Sequence, residues 1–182
     1  MGSKQMLLFG VVFVGLAAFV YFYEVAGQAS AVPTPTPGPS VVKLEAKDVT
    51  SIQSTHEGKT VKVVRENGRW KLVVPETADA EQERLDELAG RIAAMNSVQV
   101  VAQKADNLAN FGLDPPQVRA VVTTAQGETI ELLVGKESLD KNYYFVKRAD
   151  RDPVFLVTAF TAGRLKGLVN EVPRAPTPTP AT

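Results

Sequence analysis

The longest apolar segment of the 182-residue chain lies near its start. Residues 6–23, from Met6 to Tyr23, are an unbroken run of apolar or aromatic side chains. A helix over them would be about 27 Å long, close to the roughly 30 Å thickness of the hydrocarbon core of a bilayer. The pattern predicts one transmembrane helix within residues 1–27. Lys4 before the run and Glu24 after it favour a cytoplasmic N-terminus and an extracytoplasmic remainder.

A cleaved signal peptide is the alternative interpretation of the same segment. Ala29-Ser30-Ala31 has the small-x-small form of a signal-peptidase site. The apolar run is longer than the roughly 7–15 residues usual for a signal peptide, which favours a retained anchor. The predicted localisation is therefore the cell membrane, with a single pass, lipid contacts from residues 6–23 and an extracytoplasmic domain.

Alternating apolar and polar positions further along the chain predict a β-hairpin followed by a helix. Asn67-Gly68 is a strong two-residue turn signal, and its flanking strands would place Arg65 opposite Trp70 and Val63 opposite Leu72, with Val61 opposite Val74. After Pro75, Asp79 and Gln82 have the spacing of a capping box. Apolar residues at helical spacing then predict a helix over residues 79–95 that covers the apolar face of the hairpin: Leu85, Leu88, Ala89, Ile92 and Met95.

The second part of the chain has a similar pattern. A short strand at 98–101 and a capped turn at 106–112 precede strands at 118–124, 128–134, 143–147 and 154–157, and a helix at 158–169. A turn at Gln126-Gly127 would put Val121 and Thr123 on one face with Ile130, Leu132 and Val134. The predicted fold class is α+β: pseudo-duplicated antiparallel sheet-plus-helix units, at about 44–97 and 117–170, preceded by one transmembrane helix.

The twelve prolines indicate where the folded domain begins and ends. Residues 28–40 and 173–182 alternate Pro with Thr, a composition that favours extended polyproline II structure and cannot build a core. We therefore expect a linker over 28–40, an extracytoplasmic domain over 41–172 and a disordered tail over 173–182.

Composition removes several classes of function. The chain has 20 Lys+Arg against 20 Asp+Glu, which gives no basic field for nucleic acid. It has no Cys and a single His, His56, which lies near Gly58 and is expected to be a solvated residue at a hairpin tip. No pattern of catalytic, cofactor-binding or metal-ligating residues is present in the sequence. The prediction is a protein that is not an enzyme and needs no cofactor.

Several short motifs resemble landmarks of a bacterial, membrane-anchored family of unknown function, DUF4340. They are Trp70-x-Leu72-x-x-Pro75, Phe111-Gly112-Leu113-Asp114-x-Pro116, Val134-Gly135, Tyr144-x-Val146 and Val154-Phe155-Leu156-Val157. The resemblance covers about residues 44–170 and implies an association with auxiliary proteins of gliding-motility-type ABC transporters. It implies no catalytic residues. The residues it implies for structure or interaction are Trp70, Pro75, Phe111, Gly112, Leu113, Asp114, Pro116 and Tyr144.

Two hypotheses about function remain. The first is a membrane-tethered, extracytoplasmic, non-enzymatic interaction module, such as an accessory subunit of a membrane or transport assembly, whose partner is another membrane or envelope protein. The second is a small-ligand or cell-wall-polymer binding domain, in which exposed aromatic side chains such as Tyr143, Tyr144 or Trp70 form the platform.

Overall fold

Nine antiparallel strands form one sheet in the computed structural model, which describes residues 38–176, and two α-helices accompany them. The predicted anchor at residues 6–23 lies outside the described residues, as do most of the predicted linker and residues 177–182. Neither helix within residues 38–176 combines the length and the hydropathy that a membrane span requires.

The strands follow one another along the chain in two groups, each followed by a helix. Short 3₁₀ turns at Ala46–Asp48 and Leu108–Phe111 precede the first and the sixth strand. The elements are β1 (Val49–His56), β2 (Lys59–Glu66), β3 (Arg69–Val74), β4 (Ala78–Asp79), α1 (Gln82–Ala93), β5 (Gln99–Ala102), β6 (Val118–Thr124), β7 (Thr129–Glu137), β8 (Tyr143–Arg148), β9 (Val154–Thr158) and α2 (Ala159–Asn170).

The two groups meet at the centre of the sheet. The strand order is β4-β3-β2-β1-β6-β7-β8-β9-β5, so β1 pairs with β6, for example through Ile52 and Val122. Strand β5 crosses to the far edge and pairs with β9. The prediction of an antiparallel sheet with two helices is confirmed.

One face of the sheet is covered by both helices and holds the core. The apolar residues buried on this face join those of the helices in a single cluster, so the two groups of strands share one core. The Ser54 hydroxyl donates a hydrogen bond of 2.7 Å to the Leu165 carbonyl oxygen, which fixes α2 over the central strand β1. Typical members of the cluster are Ile52, Val63, Leu72, Leu85, Ile92, Val122, Leu132, Val146 and Leu165.

The predicted hairpin of β2 and β3 is confirmed close to its turn. Arg65 pairs with Trp70 and Val63 with Leu72. Further out the prediction is wrong, because an irregularity after Val63 places Lys62, not Val61, opposite Val74. Such a bulge inserts one residue on one strand and shifts the pairing beyond it.

The predicted facing of β6 against β7 is also wrong. Val122 pairs with Ile130 and Ala120 with Leu132, all of them buried, whereas Val121 pairs with Glu131 on the opposite face. A two-residue turn at Gln126-Gly127 would pair Thr123 with Ile130. Thr123 instead pairs with Thr129, so the register is shifted by one residue. A shift of one residue moves every side chain of a strand to the other face.

Helix α1 begins at Gln82, and the predicted capping box does not form. Asp79 belongs to β4 and pairs with Lys71. The Gln82 carboxamide instead accepts a hydrogen bond from the Trp70 backbone N–H (2.7 Å) and donates to the carbonyl oxygens of Trp70 and Ala80 (2.8 Å each). The first residue of the helix is thereby fixed to β3.

His56 is a buried strand residue and not the solvated loop residue that we expect from the sequence. It ends β1, and its ring Nδ1 lies 2.7 Å from the Gln117 carbonyl oxygen. In the C-terminal half of β1 the buried positions are Ser54 and His56. This half therefore lacks the alternation of apolar and polar residues that would show which side of the strand faces the core.

Ordered backbone extends beyond the predicted domain limits of 41 and 172. At the start, the Ser97 backbone N–H donates to the Pro39 carbonyl oxygen (3.1 Å), after the end of α1. At the other end, the Ala175 N–H donates to the Asp79 carbonyl oxygen (2.9 Å), before α1 begins. The two ends of the described chain are therefore attached at opposite ends of the same helix.

Candidate functional site

Most of the residues that the motifs single out lie where the two groups of strands are joined along the chain. Residues 111–116 form the joint, which contacts β7, and Tyr144 lies on the neighbouring strand β8. Leu113 is buried and bridges to Pro116, while Asp114 is exposed. The structure thus brings six of the eight residues to one region, namely Phe111, Gly112, Leu113, Asp114, Pro116 and Tyr144.

The joint starts with the predicted capped turn. The Asn107 side chain accepts a hydrogen bond from the Ala109 backbone N–H (3.0 Å), which caps the turn Leu108–Phe111. Gly112 ends the turn in the left-handed region, at φ 65°, where glycine carries no steric penalty. The prediction of a turn ended by Gly112 is confirmed.

Gly112 and Gly135 allow the joint to lie directly on β7. A β carbon at Gly112 would lie 2.8 Å from the Lys136 backbone nitrogen. A β carbon at Gly135 would overlap the Phe111 carbonyl oxygen and lie 3.1 Å from the Leu113 Cγ. The Phe-Gly-Leu-Asp-x-Pro and Val-Gly motifs are therefore the two sides of one backbone contact, and their glycines have a structural role.

A surface concavity of about 590 Å³ lies beside this contact. The Phe111 and Phe145 rings meet in its wall edge to face, with centroids 5.2 Å apart and an interplanar angle of 60°. Leu139, in the turn between β7 and β8, is fully exposed at its rim. We call this concavity the joint surface. Its lining residues are Asn110, Phe111, Lys136, Glu137, Ser138, Leu139, Asp140 and Phe145.

Polar groups hold the turn that carries Leu139. The Asp140 carboxylate accepts hydrogen bonds from the Ser138 hydroxyl (2.5 Å) and from the backbone and side chain of Asn142 (3.2 and 3.1 Å). These bonds lower the pKa of Asp140, because they favour the charged carboxylate. Leu139 is thus presented on a turn whose shape is fixed by its neighbours.

Tyr144 connects the joint surface to the core. Its hydroxyl donates a hydrogen bond to the Glu137 carboxylate, which lines the joint surface. Burial of the phenol, with a further effect from Glu137, raises the pKa of Tyr144 to about 12. Both causes disfavour the phenolate.

We expect Tyr144 to make the folded state sensitive to alkaline pH. The unfolded phenol ionises near pH 10, so its stabilising effect is complete below about pH 10. That effect is lost as the pH rises to about 12, where the folded phenol ionises. Denaturant unfolding at several pH values should show this loss in the wild type and in Tyr143→Phe, but not in Tyr144→Phe. The same slope in Tyr144→Phe would assign the loss to other groups.

The remaining two motif residues lie elsewhere. Trp70 is 1% exposed, its indole Nε1 donates to the Asp86 carboxylate (2.9 Å), and the Arg65 guanidinium lies 4.5 Å from its ring centroid. Pro75 is exposed after β3. Trp70 and Tyr144 are both buried, so neither forms the exposed aromatic platform of the second hypothesis. Tyr143 is half-buried.

Within residues 38–176, no group of three or more His, Cys, Asp or Glu side chains is placed to hold a metal ion.

A second concavity, of about 260 Å³, lies between the two helices. We call it the inter-helix groove. The sequence does not reveal this groove, because its arginines are far apart along the chain. The sequence shows only that Arg84 and Arg91 repeat at helical spacing beside Leu88, along one side of the apolar stripe of α1.

Comparison with known proteins identifies the family. No curated protein and no solved structure matches this chain. A family model described as a domain of unknown function (DUF4340) matches residues 70–172, more than half of the chain. The matched range runs from β3 to the end of α2 and includes the joint surface and the inter-helix groove. The chain therefore belongs to the DUF4340 family.

Proposed function

We propose that this protein is a non-enzymatic interaction module, held at the cell membrane by residues 6–23 with its domain on the extracytoplasmic side. In this proposal the joint surface binds another membrane or envelope protein. The observation that carries the proposal is the full exposure of Leu139 in the same concavity as the paired rings of Phe111 and Phe145.

An exposed leucine on an ordered turn favours the binding of a protein partner. Leu139 makes no contribution to the core, since its side chain is fully in solvent. Exposed apolar patches rimmed by polar groups are typical of protein-binding sites. The hydrogen bonds to Asp140 already order the turn, so binding a partner would cost little further conformational entropy. The aromatic pair in the same concavity supplies the kind of anchor on which interface affinity usually depends.

The family resemblance suggests a finer assignment, an accessory subunit of a transport assembly of the gliding-motility type.

We also propose that the segments 44–97 and 117–170 are pseudo-duplicated units. Each supplies four neighbouring antiparallel strands followed by a helix, and the first strands of the two units, β1 and β6, pair with each other. A two-fold relation between the units would produce this arrangement.

Binding of a small ligand or a cell-wall polymer is the second candidate. The concavity beside Phe111 and Phe145 supports it, because sugars stack on aromatic side chains and the volume of about 590 Å³ is in the range of ligand sites. The edge-to-face packing of the two rings leaves less free ring face than a stacking platform needs, which favours the protein partner.

A photo-crosslinking experiment tests the protein partner. A benzoylphenylalanine at Asn110, which lines the joint surface, should form a discrete adduct with one protein in intact cells that produce the full chain. Leu139→Asp should lower the adduct yield about tenfold, as expected for loss of an anchor side chain. Val98→Asp is the matched control, because Val98 is also an exposed apolar residue (51%) but lies outside the joint surface.

Two outcomes would contradict the protein partner. One is the absence of any discrete adduct. The other is an adduct whose yield is the same with Leu139→Asp as with Val98→Asp. Stabilisation of the protein by envelope glycans, abolished by Leu139→Asp, would favour the second candidate instead.

The side of the membrane is tested separately. Lys59 and Lys136 are exposed, so a membrane-impermeant amine reagent should modify both in intact cells. Modification of both lysines only after lysis would place the domain in the cytoplasm and overturn the extracytoplasmic assignment.

A further inference from the structure

The inter-helix groove lies between α1 and α2, which run antiparallel. An arginine side chain of α1 contacts α2 at each end of the groove. Arg84, in the first turn of α1, donates to the Glu171 carbonyl oxygen (2.9 Å) at the end of α2. Arg91, in the last turn of α1, lies 4.0 Å from the ring centroid of Phe160, at the start of α2. The buried side chains of Leu88 and Leu168 close the groove towards the core.

The arginines of the groove differ in how fully they are paired. Arg84 contacts the carboxylates of Glu81 (3.8 Å) and Glu171 (3.6 Å), and Arg91 Nε donates to Glu87 (2.9 Å). Arg164 is exposed, and within residues 38–176 it has no carboxylate oxygen within 4.0 Å. Its guanidinium carbon lies 5.2 Å from the Phe160 centroid. Arg164 is therefore a positioned cation with open hydrogen-bond donors.

Gly167 keeps the groove open. It lies within α2, where glycine is about 1 kcal/mol less favourable than alanine. Nothing lies within 4 Å of the position that its β carbon would take, so close packing does not require glycine there. A larger side chain at this position would extend into the space beside Arg164.

We propose that the inter-helix groove binds one carboxylate of an acidic peptide segment of a partner protein. Arg164 provides the bidentate cation, and Phe160, which is 55% exposed, provides an apolar surface for the neighbouring part of the peptide. The inference goes beyond the proposed function, because the groove shares no residue with the joint surface.

The charges of the groove favour a carboxylate over a phosphate or an anionic bilayer. Three arginines and two glutamates line it, and Arg84 and Arg91 are each paired with a glutamate, which leaves the Arg164 charge to bind an anion. A single carboxylate matches this charge. A phosphate dianion or a dense layer of anionic headgroups would be repelled by the two glutamates at close range.

Selection from a phage-displayed library of random seven-residue peptides tests the proposal on the purified full chain in detergent micelles. We expect enrichment of Asp and Glu in the selected peptides. Arg164→Gln should weaken the best selected peptide about tenfold or more, the effect of losing a charged hydrogen-bond partner. Lys166→Gln is the matched control, since it removes a positive charge from the same helix outside the groove.

Filling the groove without changing its charge is the second test. Gly167→Leu should weaken the same peptide at least as much as Arg164→Gln. Gly90→Leu should leave binding unchanged, because Gly90 also has open space at its β carbon but does not line the groove. Circular dichroism of each variant checks that it is folded.

The proposal is overturned if the selected peptides show no acidic enrichment, or if their binding withstands both Arg164→Gln and Gly167→Leu. Calorimetry with inorganic phosphate tests whether the groove binds phosphate. Phosphate binding that depends on Arg164, without acidic enrichment among the peptides, would make the groove a phosphate site. None of these results changes the expected crosslink from Asn110, so failure here is distinguishable from failure of the proposed function.

Discussion

Replacing Gly135 with alanine is expected to lower the free energy of unfolding by about 3 kcal/mol, the upper part of the range for overpacking. The new β carbon would overlap the Phe111 carbonyl oxygen and press on Leu113, which is buried. The obstructing atom belongs to the backbone of a capped turn, so it cannot swing away as the end of a side chain could. Urea unfolding followed by circular dichroism measures the loss.

Gly167→Ala is the matched control for this prediction. It adds the same methyl group where nothing lies within 4 Å, and it should raise stability by up to about 1 kcal/mol through helix propensity. Gly135 does not have a positive φ, so backbone strain adds nothing to the expected effect there. If Gly135→Ala has the same free energy of unfolding as the wild type, the joint and β7 are not in contact.

Trp70→Ala is expected to lower the free energy of unfolding by about 4 kcal/mol, in the range for deletion of a large buried ring. The side chain is 1% exposed and contacts Arg65 on β2 and Asp86 on α1. Its removal would leave a cavity and would deprive Asp86 of the indole N–H and Arg65 of the ring over which it lies. Trp70 is the only tryptophan of the chain, so unfolding must be followed by circular dichroism.

Two controls separate the causes of this loss. Trp70→Phe keeps an aromatic ring but removes the donor to Asp86, and it should cost about 1–2 kcal/mol. Val73→Ala, on the same strand but 38% exposed, should change stability by no more than about 0.5 kcal/mol. A loss for Trp70→Ala no larger than that for Val73→Ala would place the indole at the surface.

The elements that were predictable from the sequence are those that depend on neighbouring residues. Asn67-Gly68 specifies its own turn and the first pairs beside it, and Gly112 ends its own turn. The spacing of Leu85, Leu88 and Ile92 was sufficient to identify a helix. Its start was predicted wrongly, because the Gln82 side chain binds β3 and not the helix end, and β3 is a partner that spacing does not reveal.

The inward side of strand β1 was not predicted, for a different reason. Its inward positions include Ser54 and His56, which are buried because α2 and the Gln117 carbonyl satisfy them. Both partners are far away in the sequence. Polar residues in a strand of this kind resemble a loop until the elements that satisfy them are known.

The candidate site was predictable as a set of residues but not as an arrangement. The family motifs singled out Phe111 and Gly112, yet nothing in them indicates that Gly135 lies against the same turn. Leu139 drew no attention, because a single leucine in a polar turn is common. Arg164 and Arg91 share a ring only because the two helices lie side by side.

The pairing of β1 with β6 at the middle of the sheet affects the risk of aggregation during synthesis of the chain. During synthesis, β1 to β4 are complete long before residue 118 appears, so β1 remains an unpaired edge with open N–H and C=O groups. An unpaired edge can pair with another chain. A nascent chain released before β6 would therefore need a chaperone, which makes truncation within 103–117 more hazardous than truncation after α2.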